Sequence, residues 1–387
     1  VPTASAVPRR KSRTASRRRL RPPPAALLAY GAARALGVVI VVAWGAHRGT
    51  SGLYRLSSMW DAYWYQDLAV HGYAGSTPVP GPHGLYEVYA FFPAYPMLIR
   101  LVHGLLLLPV NYAALVVAWV ASLVAAWGVF ALADRLYGRR VGLLAAVLWG
   151  ATPYAVVESS AYSELLFTAF AAWAVYAAVC RNWVWAGTLS MLAGLTRPTG
   201  IAVAVAVSGA ASWELLRRRA GWRAAGGMLL APLGFVGFVG WVGIQKGRWD
   251  GYFRVQDAWE SHFDFGRKTF YSLRDLLART DTVYVADVVV AVVLAAGVLL
   301  LAISVIQRQP PVLLLYSTAM LILALGDAAY FNSRARFLIP AIGLLLPVAT
   351  ALARVRSRAS LLLILTSMAL GSAVYGGYVA FVYPDAP

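Results

Sequence analysis

The sequence predicts an all-α fold, a polytopic transmembrane helical bundle of about eleven spans with its N-terminus inside. Three observations carry that expectation. Of the 387 residues, 60% are apolar and only 13% are charged, against about 25% charged in ordinary soluble domains. Uncharged runs long enough to cross a hydrocarbon layer of about 30 Å recur along the chain. Basic residues cluster in the gaps between alternate runs, as topology signals do. The net charge of +18 would suit nucleic acid only if it formed a face of a soluble fold, so no nucleic-acid partner is expected.

Residues 1–24 combine proline, serine and eight basic residues, a composition that predicts a disordered cytoplasmic tail. No small-residue cleavage site follows, so the first apolar run reads as an uncleaved span. Residues 25–387 form the transmembrane domain. Its expected spans are 25–47, 112–134, 139–157, 160–180, 183–196, 199–216, 223–245, 284–306, 311–327, 337–354 and 359–382.

Charge tests this layout. With the N-terminus inside, the tail falls on the cytoplasmic side with Arg135, Arg139, Arg140, Arg181, Arg217, Arg218, Arg219, Arg223, Arg308, Arg354, Arg356 and Arg358. Only Asp134 and Glu214 oppose them there. The bias is strongly positive-inside, and Arg34 is left within the first span. Two long outer segments result, about 48–111 and 246–283, with a shorter one at 327–336. Within the first, 92–108 is apolar but short and interrupted by Pro93, Pro96 and Arg100, which predicts an interfacial helix rather than a span. The single cysteine, Cys180, allows no internal disulfide pair and is expected to be packing.

Nearly every acid lies in or beside the outer segments, so the chemistry is expected there. Asp61 stands just beyond the first span among Trp60, Tyr63, Trp64 and Tyr65. A carboxylate in such partly dehydrated surroundings can serve as a general base, and the rings can stack on sugar faces. An interfacial aromatic belt with an incidental acid would produce the same run. Asp67, six positions on, falls on a different helix face and reads as a solvated acid. His71, His83 and His103 lack metal-ligand spacing and read as polar packing, with His71 also a binding candidate. Glu158 and Glu164 flank the start of an apolar run, where a carboxylate needs a partner or a function. Arg197, Arg334 and Arg336 suit a lipid-borne phosphate, although an arginine snorkelling to the interface looks the same. Gln256 and Trp259 share a face if 253–262 is helical.

Several motifs occur in order. Trp60-Asp61-Ala62, His71-Gly72-Tyr73 and Phe91-Phe92-Pro93-Ala94-Tyr95-Pro96 come first. Ala161-Tyr162-Ser163-Glu164 and Thr196-Arg197-Pro198-Thr199-Gly200 follow, then Phe253-Arg254-Val255-Gln256-Asp257-Ala258-Trp259 and Ser333-Arg334-Ala335-Arg336-Phe337-Leu338-Ile339-Pro340. Together they resemble the GPI mannosyltransferase II (PIG-V-like) family, whose members are polytopic GT-C glycosyltransferases. The resemblance covers nearly all the chain beyond the tail. It implies an inverting mannosyltransferase at the plasma membrane, with polyprenyl-phosphate-mannose as donor and its site extracytoplasmic. Asp61 would be the catalytic base. Trp60, Tyr63, Trp64, His71, Glu158, Glu164, Arg197, Gln256, Trp259, Arg334 and Arg336 are the substrate-binding candidates. The expected partners are membrane lipid, the lipid-linked donor and a glycolipid, polymer or protein acceptor. A lipid phosphate is already a competent leaving group, so no cofactor and no metal are expected. The sequence departs from the family pattern at Arg197-Pro198-Thr199-Gly200 and in its Arg-Ala-Arg-Phe stretch. The competing readings are a GT-C transferase for another lipid-linked sugar, a transporter or lipid flippase, and a non-catalytic subunit. No internal repeat of the kind found in transporters is visible.

Overall fold

The structure, a computed structural model, describes residues 23–278 and 283–384. The expected disordered tail lies almost wholly outside the described residues. The chain is an all-α membrane bundle. It opens with α1 (Pro24–His47), followed over the first outer segment by α2 (Gly52–Ser58), α3 (Asp61–Gly75) and α4 (Ala94–Leu106). Between α3 and α4 a small antiparallel hairpin pairs β1 (Val79–Gly81) with β2 (Gly84–Tyr86). This hairpin and an isolated antiparallel bridge between Phe263 and Asp327 are the departures from all-α structure among the described residues. The hairpin's sequence, VPGPHGLY, explains it, because two prolines and two glycines disfavour a helix.

The bundle continues through α5 (Val110–Tyr137), α6 (Arg139–Trp149), α7 (Glu164–Val179), α8 (Trp183–Gly194), α9 (Gly200–Leu216), α10 (Trp222–Leu230) and α11 (Leu233–Gln245). The segment expected to be the second outer one carries α12 (Gly251–Ala258) and α13 (Arg267–Ala278). Then come α14 (Val285–Ile306), α15 (Pro311–Gly326), α16 (Arg334–Phe337), α17 (Leu346–Leu352) and α18 (Arg358–Phe381).

Five stretches are long and apolar enough to cross a membrane: α1, α5, the run Trp222–Gln245, α14 and α18. A sixth is the pair Phe331–Phe337 and Ile342–Leu352, bent by 76°. The protein is thus multi-pass, but helix length does not reach the expected eleven. The shortfall has local causes. α7, α9 and α15 have 16 or 17 residues, about 25 Å of helix, and α8 has 12. α4, at 13 residues, is also too short to span; it buries Tyr95, Pro96 and Ile99 and exposes Met97, Leu101 and Leu105.

The expected span 139–157 is corrected most. Its helix stops at Trp149, and residues 150–163 form a buried chain of turns. Pro153 opposes continuation of the helix. Gly150 is required for packing, since a β-carbon there would lie 2.6 Å from the Tyr30 ring. Irregular backbone inside a membrane bundle must find internal partners. Arg34 Nη1 donates to the Ala155 carbonyl, Trp119 Nε1 to Ser159 O at 3.0 Å, and Ser372 Oγ to Thr152 O at 2.6 Å. The Ala161 amide donates to Leu56 O at 2.8 Å, tying the segment to the first outer loop.

Small residues let other helices approach. A β-carbon on Gly227 of α10 would lie 2.2 Å from the Trp183 carbonyl of α8. Cys180, expected to be buried packing, is exposed instead, because it caps the end of α7.

Candidate functional site

α3 begins at Asp61, directly after Trp60, whose backbone takes φ 56° and ψ −126°. That conformation is rare for a bulky residue and turns the chain sharply from α2 into α3. Along α3, Asp61, Trp64 and Tyr65 face a cavity of about 600 Å³, which Trp60 also lines. The opposite stripe holds Tyr63, Asp67 and His71 at four-residue spacing. Tyr63 is exposed, and His71 Nδ1 lies 2.8 Å from Asp67 Oδ1. Helical periodicity therefore sends two binding candidates, Tyr63 and His71, away from the cavity.

The cavity's charged wall joins four segments. Arg336 of α16 reaches Asp61 Oδ2 with Nη1 at 3.0 Å and Glu164 Oε1 with Nε at 3.2 Å. Arg197, in the α8–α9 turn, reaches Glu164 Oε2 with Nη1 at 2.5 Å. Arg197 Nη1 also donates to Ser163 Oγ at 3.1 Å, and that hydroxyl lies 2.6 Å from the Tyr65 hydroxyl. Two carboxylates thus face two guanidiniums. Glu164 is 1% exposed and Asp61 25%, so Glu164 is the buried keystone and Asp61 the member open to a ligand. The Arg336 contacts are charge pairs without hydrogen-bond alignment, since its Nε and Nη1 have no aligned acceptor.

A second wall is aromatic. Tyr86 of β2 stacks on Trp259 with centroids 4.3 Å apart, and Trp64 meets Trp259 edge-on at 5.1 Å. Phe91 packs against both tryptophans. Trp259 follows α12, and Gln256, one turn earlier, donates from Nε2 to Ala90 O at 3.1 Å and Tyr252 Oη at 2.8 Å. Both line the cavity, so the two outer segments meet there. The hairpin is tied to the turn after α12 by His83 Nε2 to Glu260 Oε1 at 2.6 Å, and Lys246 pairs with Glu87.

Of the remaining candidates, Glu158 is buried away from the cavity and accepts from the Tyr30 hydroxyl at 3.0 Å. Arg334 is fully buried, packs over Phe331 at 5.3 Å and donates to the Asp327 carbonyl. Two residues apart on one short helix, Arg334 and Arg336 point in opposed directions. Glu164 touches the site only through its arginines.

Sequence reasoning did not make Tyr65, Ser163, Tyr86, His262 or Asp327 binding candidates, although Tyr65 falls in the aromatic run at Asp61 and Ser163 in a motif. All but Ser163 line the cavity, and Ser163 joins the charged wall. Tyr65 had a usable signal, its four-residue spacing from Asp61; Asp327 had another, an acid ending the apolar run of α15. Burial pushes the Asp327 carboxyl above its ordinary range, partly opposed by the Ala329 amide and Arg334. Among the described residues, no three His, Cys, Asp or Glu side chains group closely enough to hold a metal.

No family model matches the chain, and no curated protein is similar to it in sequence. Solved structures do match. ArnT from Cupriavidus metallidurans bound to undecaprenyl phosphate superposes with a TM-score of 0.56 at 16% identity, over 91% of this chain. The chain has the GT-C fold. The Archaeoglobus fulgidus oligosaccharyltransferase in complex with zinc and sulfate aligns over 92% of this chain, with a TM-score of 0.51 and 14% identity. AglB from the same organism, with an inhibitory peptide and a dolichol-phosphate, gives 0.50 and 14% over 94%. The chain spans only 65% of ArnT and 53% and 56% of the two oligosaccharyltransferase chains. At these identities the likeness is one of fold.

Proposed function

We infer that this GT-C chain is a membrane glycosyltransferase whose donor is a sugar on a polyprenyl phosphate. The carrying observation is that Asp61 opens into the cavity 3.0 Å from Arg336, with Arg197 joined to the same network. The bound lipids of two fold relatives, undecaprenyl phosphate in ArnT and a dolichol-phosphate in AglB, support a carrier of that class. The PIG-V-like motifs support mannose as the sugar, an inverting reaction and a site on the extracytoplasmic side of the plasma membrane.

In this reading the acceptor hydroxyl gives its proton to Asp61 as its oxygen attacks the anomeric carbon. The bond from that carbon to the phosphate oxygen breaks with inversion, and the phosphate keeps the electron pair. Negative charge grows on the leaving phosphate, where Arg336 and Arg197 can stabilise it. The aromatic wall provides apolar faces and edges for sugar rings.

The test is transfer of label from radiolabelled polyprenyl-phosphate mannose into extracted lipids or polymer, in reconstituted wild type and Asp61→Asn. Label should move in wild type, and the variant should lose a factor of about 10²–10⁴. Undiminished transfer by Asp61→Asn would reject Asp61 as the base. No transfer from mannose but transfer from another lipid-linked sugar would reject mannose alone.

A further inference from the structure

One carboxylate in the cavity has no part in the proposed transfer. Besides Asp61, the acid that lines the cavity is Asp327. It ends α15 and stands opposite Phe263 in an isolated antiparallel bridge. The Ala328 amide donates to His262 O and the Asp264 amide to Gly326 O, both at 2.8 Å. Side chains opposite one another in such a bridge lie on the same side. Here that side is the cavity, which Phe263, Asp327 and the neighbouring His262 all line. The close pairing requires Gly326, because a β-carbon there would lie 2.0 Å from the Phe263 ring.

The Asp327 carboxyl is held on one oxygen only. Oδ1 accepts from the Ala329 amide at 3.1 Å, and none of the described residues donates to Oδ2. Arg334 is bonded to the Asp327 main chain and does not line the cavity. The two guanidiniums that do, Arg197 and Arg336, are engaged by Glu164 and Asp61. This part of the cavity is also accessible: Phe263 is 44% and Tyr330 48% exposed, and His262 is exposed. A carboxylate without a partner cation repels phosphate but accepts hydrogens from hydroxyls. The donor phosphate is drawn to the arginines instead, so the sugar that meets Asp327 comes with the acceptor.

We propose that Asp327 and His262 form an acceptor subsite for a neutral, hydroxyl-rich sugar ring. Two ring hydroxyls bond to Asp327 Oδ2 and the His262 imidazole, and Phe263 offers the apolar face. The inference rests on the transferase reading and adds to it the class of acceptor, an uncharged glycan.

The experiment uses the full chain in nanodiscs without donor, and follows binding of methyl α-mannobioside by saturation-transfer NMR. Wild type should bind it, and Asp327→Asn, which keeps the oxygen bonded to Ala329, should weaken binding about tenfold or more. His262→Ala, at an exposed side chain that folding does not need, should weaken it severalfold. Asp67→Asn, on the stripe of α3 turned away from the cavity, should bind as wild type does. With radiolabelled polyprenyl-phosphate mannose added, Asp327→Asn should raise the acceptor KM and leave the donor KM unchanged. No binding by wild type, binding undiminished in both Asp327→Asn and His262→Ala, or a change in the donor KM alone would overturn the proposal. So would equal binding of the 6-phosphorylated disaccharide, which would reject a neutral acceptor. Binding lost as expected in the two variants, with no transfer from any lipid-linked sugar, would reject the transferase reading and leave the sugar subsite standing.

Discussion

Arg336 holds Asp61 and Glu164 at once, at 3.0 and 3.2 Å, yet Glu164 is buried while Asp61 is a quarter exposed. The same guanidinium therefore does two physically different jobs. Toward Glu164 it compensates a charge that water cannot reach. Toward Asp61 it orients a carboxylate that remains partly hydrated.

Stability and activity should accordingly separate. Arg336→Gln leaves Glu164 with Arg197 alone, and loss of one partner of a buried pair costs about 3–5 kcal/mol. Asp61→Asn removes a partly solvated charge and leaves the buried Arg336 still paired with Glu164, so it should cost less, about 1–2 kcal/mol. Thermal unfolding in detergent should therefore show a larger loss for Arg336→Gln than for Asp61→Asn, while both abolish most transfer. Equal destabilisation by the two variants would contradict the division of labour.

The positions of these residues show what was readable in the sequence and what was not. The apolar runs of α1, α5, α14 and α18 announce themselves, because nothing but lipid or bundle interior accepts them. Asp61 and Trp64 were legible for a related reason, an acid among rings at a span's end. Glu158 and Glu164 looked alike on either side of one turn, but the 3₁₀ turn at Val157–Ser159 and the bends after it rotate the chain between them. One faces Tyr30, and the other reaches the arginines. Arg334 and Arg336 differ only by half a helical turn. The hidden part is tertiary: which element closes over a side chain is not written in the side chain's neighbours.

Asp327 supplies a pH prediction. Its carboxyl is raised by burial, so the folded state binds that proton more tightly than the unfolded chain, whose value is about 3.9. Stability from this group is greatest below the unfolded value and declines as pH rises toward and through the raised folded value. Asp327→Asn keeps a neutral side chain at every pH. Its unfolding temperature should fall less than that of wild type as pH increases from about 4. Parallel curves for the two proteins would show that Asp327 is not protonated preferentially by folding.

Arg34 should matter at a distance. It donates to the Ala155 carbonyl and lies 3.5 Å from Ser159 Oγ, inside the irregular stretch that leads to Ser163 and Glu164. Arg34→Leu would remove a charge-assisted bond and leave the Ala155 carbonyl with the Glu158 amide alone, costing about 1–3 kcal/mol, and should loosen Glu164. Tyr30→Phe removes only the hydroxyl bonded to Glu158 and should cost about 1 kcal/mol. The check is transfer by variants measured well below their unfolding temperatures. Arg34→Leu should lose activity there, whereas Tyr30→Phe should not.

Trp60 offers the sharpest local test, because its backbone conformation conflicts with its side chain. At φ 56° and ψ −126° any residue with a β-carbon is strained, and the cost is of order 1–3 kcal/mol. Glycine reaches that conformation freely. At an ordinary position glycine is less stabilising than alanine, since it gains more freedom on unfolding. At position 60 the order should invert, with Trp60→Gly more stable than Trp60→Ala by about 1 kcal/mol or more. Both variants lose the ring that lines the cavity, so the comparison isolates the backbone. If the turn holds Asp61 at the start of α3, the strain is retained because it aims that carboxylate. Trp60→Gly, which keeps the turn without strain, should then transfer at least as fast as Trp60→Ala. Paired unfolding and transfer measurements on the two variants decide it: an alanine variant at least as stable as the glycine one would mean that the turn holds no strain.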